Sequence, residues 1–303
     1  MLRAIVSFGI LVILLGMIEL PNLMRAIMQV HFSAVGLCLV VIGVGVCLSV
    51  YKWQGFLRVH GIRSSFWKLV CLYLVGSFFN NFLPTSVGGD VVRASLLCQE
   101  QEPTAEVVAS VLAERLFGFL VVCLYGTAGI FILPVLAETF RIPLVILIII
   151  SLIVCSLLCL NWIRQKLWGV LSSRAGLVLE RFLLCLAQYL HHPRVLVRAV
   201  WTSAVFQLLV GATYYLVARE MQLQIGFGVM TVMVSLVTLL TLIPISLNGI
   251  GVREGGFVLF LGYVGIEESA AIALSLTVYA IVLGFSLLGW FIFLLWKRQG
   301  STA

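Results

Sequence analysis

A polar break that occurs twice in an otherwise apolar chain limits the fold more than any other feature. Pro84, Ser86, Gly89, Val92 and Arg93 keep their spacing in Pro244, Ser246, Gly249, Val252 and Arg253, 160 residues later. Asn80, Asn81, Gly88 and Asp90 surround the first copy, and Asn248, Gly251 and Glu254 the second. The setting follows from composition. The chain is 62% hydrophobic and 10% charged, with a mean hydropathy of +1.17, whereas a soluble domain carries about 25% charged residues. It is therefore a polytopic membrane protein. Backbone that leaves helical form in a membrane is tolerated only where protein or a wet cavity surrounds it, so both breaks must be enclosed.

A net charge of +7 and a pI near 9.1 fit Lys and Arg gathered in cytoplasmic loops, with attraction to anionic lipid. No basic, aromatic-interleaved soluble patch supports nucleic-acid binding. The eight cysteines fall mostly in apolar runs without a Cys-x-x-Cys pair, as buried small hydrophobes do. The four histidines lack the helical pairing that zinc requires, and no phosphate loop or nucleophile–base pair stands out. No catalytic or metal-binding residue and no cofactor is assigned, and an enzyme is not expected.

A span needs about 20 apolar residues. Ala4–Leu20, Phe32–Tyr51, Phe66–Leu83, Glu106–Leu133, Ile142–Trp162, Val200–Ala218, Phe227–Leu247 and Ala270–Trp296 qualify in whole or part. Basic loops at 52–68 and 163–198 and the Lys297-Arg298 end are expected on the cytoplasmic side. An even number of crossings must then separate residues 68 and 163, yet three apolar segments lie between them. Parity is restored if Phe66–Leu83 enters, turns at Pro84–Gly89 and returns through Val91–Cys98. By the same count Phe227–Leu247 enters from outside and turns at Pro244–Gly251.

The expected fold is therefore all-α: an inverted repeat of span, span, re-entrant hairpin and span, with about six full spans and two hairpins. Eight plain spans are the alternative. The whole of 1–303 forms one transmembrane domain, with repeats at about 1–133 and 142–296. A helix at about 164–193 is expected at the cytoplasmic headgroup level. Both termini are expected in the cytoplasm and the protein in the cell (inner) membrane. Inverted repeats whose broken segments meet near mid-membrane are a recurring plan of secondary transporters, which bind substrate at the breaks.

The breaks also hold the candidate site residues. Pro84 and Pro244 remove backbone donors, and Gly88, Gly89, Gly249 and Gly251 permit conformations closed to other residues. Arg93 and Arg253 are ionisable groups at membrane depth, where a cavity or a partner is obligatory. Their planar forks suit phosphate oxygens. The internal alternative pairs Arg93 with Asp90 or Glu114, and Arg253 with Glu254. Asp90 can also cap the returning helix. Glu114 and Arg115 point about 100° apart on one helix, so each needs a partner elsewhere. Asn80, Asn81, Ser86, Ser246 and Asn248 supply neutral donors that either satisfy freed backbone groups or line a path.

Three motifs in order resemble the transmembrane domain of lysylphosphatidylglycerol synthases and related stand-alone membrane proteins. They are Asn81-Phe82-Leu83-Pro84 leading to Gly88-Gly89-Asp90-Val91-Val92-Arg93, then Glu114-Arg115, then Pro244 through Glu254. The resemblance implies a flippase-like role for a lipid with a charged or glycosylated headgroup. Lipid lysylation is not expected, because the chain ends seven residues after Trp296. The partner is then a membrane lipid, anionic or linked to a saccharide, with homo-oligomerisation left open. Two further function classes compete. One is a proton- or ion-coupled solute transporter that uses Asp90 and Glu114 as carriers. The other is a membrane-embedded lipid-modifying enzyme.

Overall fold

The computed structural model describes Met24 and residues 28–82, 87–99, 103–132, 184–242, 246 and 248–300. The expected spans at Ala4–Leu20 and Ile142–Trp162, most of the expected interfacial helix, and Pro84, Ser86 and Pro244 lie outside these residues.

Eight α-helices stand among the described residues: α1 (Phe32–Val59), α2 (Phe66–Phe82), α3 (Gly88–Cys98), α4 (Thr104–Ile132), α5 (Pro193–Glu220), α6 (Phe227–Leu242), α7 (Val252–Gly262) and α8 (Glu268–Gly300). A 3₁₀ turn at Tyr189–His191 precedes α5. Four of the helices, α1, α4, α5 and α8, are long and apolar enough to cross a bilayer. The other four are shorter. α2 and α6 have 17 and 16 residues, about 25 Å at the helical rise. α3 and α7 have 11 each, about 16 Å, roughly half of a hydrocarbon core.

Two boundaries differ from expectation. α1 continues past Tyr51 to Val59, so Lys52 and Arg58 belong to a helix and not to a loop. Trp53, Phe56 and Leu57 are fully buried and carry the apolar face through the charged positions. α5 likewise begins at Pro193, a favoured residue for a first helical turn, so Arg194 and Arg198 are helical. α1 and α5 stop in the same way. Ile62 N–H bonds to Leu57 O and Leu223 N–H to Ala218 O, across Gly61 and Gln222 at positive φ. That pattern is the left-handed helix stop.

The described helices fall into two matching sets. Phe32 to Pro193 and Phe66 to Phe227 are both steps of 161 residues. The packed pairs of one set have their counterparts in the other, α1–α2 and α5–α6, α2–α3 and α6–α7, α3–α4 and α7–α8, α1–α4 and α5–α8, and between the sets α2–α8 matches α6–α4. The equivalent helices α1 and α5 pack along their whole length. His31 meets Glu220, Cys38 meets Thr213, Lys52 meets Ser203, and Gly55 meets Arg198. One index rises as the other falls, so the two helices run antiparallel.

Close contact is made at small residues, as expected where apolar burial alone does not distinguish helix from lipid. Gly76 and Gly89 bring α2 and α3 backbone to backbone, and a Cβ at Gly89 would overlap the Gly76 carbonyl. Gly289 of α8 lies on the Leu74 carbonyl of α2 in the same manner. Neither Gly88 nor Gly89 has positive φ, and Gly89 serves the close packing of α2 on α3. At the second break Gly249 and Gly251 do have positive φ, 76° and 84°.

Candidate functional site

Asp90 and Arg93 are one turn apart on α3 and so share a face. Both are buried. Arg93 Nε lies 3.1 Å from Asp90 Oδ1, and Arg93 Nη2 donates to Glu114 Oε2 of α4 at 2.5 Å. The guanidinium also stands 4.7 Å from the Trp53 ring and 4.8 Å from the Tyr73 ring. Trp53 is fixed in turn by its indole N–H, which donates to Ser110 Oγ at 2.9 Å. Arg93 Nη1 is buried without a hydrogen-bond partner among the described residues.

Glu114 and Arg115 diverge as adjacent helical residues must. Glu114 turns to Arg93, while Arg115 pairs with Asp90. A fifth charge completes the cluster. Lys52 of α1 is 5% exposed, lies 3.6 Å from Glu114 Oε1, and donates to Ser203 Oγ of α5 at 3.0 Å. The cluster therefore ties α1, α3, α4 and α5 together. Sequence reasoning missed Lys52 because it follows the twentieth residue of an apolar run. The signal that could have found it is Trp53, Phe56 and Leu57, whose helical spacing extends the run beyond the lysine.

The N-cap residue of α3, Val87, gives no side-chain cap, and Asp90 is turned to Arg93 and Arg115. Asn80 of α2 supplies one instead: its Oδ1 accepts the Gly89 N–H at 2.8 Å. Gly88 opens α3 and is half-buried.

The second break is built differently. Glu254 is fully buried, and its Oε2 accepts the Gly251 N–H at 2.7 Å. Its Oε1 accepts from Ser275 Oγ at 3.1 Å and from Arg253 Nε and Nη2 at 3.0 and 2.9 Å. The Arg253 guanidinium lies 3.8 Å above the Tyr279 ring. Ser246 is buried, and its hydroxyl has no partner among the described residues. Asn248 has φ of 49°, a left-handed conformation that asparagine tolerates. Its amide nitrogen reaches Asn81 O of the first break at 3.4 Å and Tyr279 Oη at 3.4 Å.

The two breaks thus meet at Asn81 and Asn248, and a cavity lies on each side. One, of about 540 Å³, is lined by Lys52, Asp90, Arg93, Glu114, Arg115, Ser203 and Gln207 among others. The second, of about 380 Å³, is lined by Arg253, Asn81, Asn248, Tyr214 and Tyr279 among others. Tyr73, Ser77, Asn80, Phe206 and Val210 line both and form the wall between them. Arg93 and Arg253 accordingly line neighbouring cavities and do not share one. Both are held by carboxylates in this arrangement, the internal pairing that the sequence left open.

The family model described as "Lysylphosphatidylglycerol synthase TM region" matches residues 1–289. A comparison with curated proteins found no match.

Proposed function

Because the chain belongs to the lysylphosphatidylglycerol synthase transmembrane-region family, we propose that it is a lipid translocator that passes a phosphate-bearing headgroup between two cavities while the tails remain in lipid. The observation that carries this reading is the pair of adjoining cavities, each with its own arginine, that share Tyr73, Ser77, Asn80, Phe206 and Val210 in their linings. A transferring site must hold a headgroup on either side of one barrier, and an arginine fork offers paired donors to phosphate oxygens. The lipid is a phospholipid, or a polyprenyl or glycolipid that carries phosphate. The protein performs no bond chemistry on it.

In this reading α2–α3 and α6–α7 are re-entrant hairpins of two inverted repeats within one transmembrane domain. Three facts support it: the antiparallel run of α1 against α5, the half-membrane length of α3 and α7, and the contact of both tips through Asn81 and Asn248. About six full spans flank the hairpins, both termini lie in the cytoplasm, and the protein resides in the cell membrane. Asp90, Glu114 and Glu254 hold the arginines between transfer events, Arg115 pairs with Asp90, and Asn81, Ser246 and Asn248 offer neutral donors along the path.

The test is leaflet transfer in liposomes. Purified protein exposes a fluorescent anionic phospholipid to an impermeant quencher, and Arg93→Ala and Arg253→Ala each abolish that exposure. Arg253→Ala is the cleaner arm, because Glu254 keeps Gly251 N–H and Ser275 as donors. Full transfer by both variants overturns the proposal.

A further inference from the structure

A second polar site lies away from both cavities, at the end of the bundle where α5 begins. A groove there is lined by Tyr51, Pro193, Arg194, Val197, Arg198 and Trp201 among others, and it shares no lining residue with either cavity. Arg194 and Arg198 are four residues apart and so face the same way. Among the described residues no carboxylate lines the groove. The Arg198 guanidinium is 3.2 Å from the Tyr51 ring centroid and donates through Nη2 to the Tyr51 carbonyl. Its Nε is buried without a hydrogen-bond partner among the described residues.

The surroundings indicate the ligand. Val197 and Trp201 on the same helix are 70% and 66% exposed. In a membrane-spanning helix such exposure is to lipid. Arginine followed by an exposed tryptophan one turn deeper is the order of a headgroup boundary. The groove also lies at the N-terminal, positive end of α5.

We propose that this groove holds an anionic phospholipid, with its phosphate between Arg194 and Arg198 and a chain along Val197 and Trp201. A free phosphate would use the same two arginines but would leave the apolar wall unoccupied. The site is a resident lipid position and does not depend on the transport reading.

Native mass spectrometry of delipidated protein tests it, by titration with phosphatidylglycerol and phosphatidylcholine of matched chains. Each arginine at the surface favours the anionic lipid by about fivefold. Arg194→Glu, at an exposed position, keeps the wild-type melting temperature and lowers the preference for phosphatidylglycerol by at least about fivefold. Arg194→Gln/Arg198→Gln lowers it by roughly thirtyfold. An unchanged preference in folded Arg194→Glu overturns the proposal. So does displacement of phosphatidylglycerol by millimolar inorganic phosphate, which would make this a free-phosphate site.

Discussion

Lys52 and Glu114 place opposite charges 3.6 Å apart on α1 and α4, at positions closed to solvent. Burial of this kind is tolerated only when partners complete it. Removal of one member of a buried pair costs about 3–5 kcal/mol, far more than an exposed pair contributes. Glu114 answers to both Arg93 and Lys52, so Glu114→Ala is the most damaging single change in the cluster. It lowers stability by about 3–5 kcal/mol in thermal unfolding of the detergent-solubilised protein. Arg93→Met/Glu114→Leu, which removes both charges, costs less than the sum of the two single changes. Equal stability of Glu114→Ala and wild type contradicts the description of the cluster. The sequence made Arg93, Asp90 and Glu114 legible, because charge at membrane depth stands out against hydrocarbon. It hid Lys52, because a lysine at the end of an apolar run looks like the start of a loop. Its burial depends on Ser203, which arrives from a helix 151 residues away.

At the scale of elements, the close approach of α2 and α3 depends on glycine. Gly89→Ala directs a methyl group at the Gly76 carbonyl, and neither backbone can yield without separating the helices. Gly284 of α8 has open space around it. Gly89→Ala therefore lowers the melting temperature by several degrees and weakens the Asn80–Gly89 hydrogen bond, whereas Gly284→Ala leaves the melting temperature within about one degree. Similar melting temperatures for the two variants contradict the proposed contact. The sequence predicted the start of α2 at Phe66, where a long apolar run follows the basic loop. It suggested unusual backbone conformations at Gly88 and Gly89, and neither has positive φ. A glycine needed for packing and one needed for positive φ look alike until the facing helix is known. Gly249 and Gly251 are of the second kind.

At the scale of the whole molecule, the described helices form two matching sets that meet through α1–α5, α2–α8 and α4–α6, and their breaks touch at Asn81 and Asn248. The 160-residue echo of five residues was enough to suggest this pairing, and the described helices repeat with nearly that step. The relation between the two arginines was not legible. Each reaches its own cavity through neighbours such as Tyr73 and Tyr279, which no motif marks. If a headgroup passes between these cavities, the contact of Asn248 with Asn81 at 3.4 Å must part to admit it. The most direct measurement is leaflet transfer by the Asn81→Cys/Asn248→Cys protein, oxidised and then reduced in the same liposomes. Transfer stops on oxidation and returns on reduction if the tips form the passage; undiminished transfer with the tips cross-linked contradicts it.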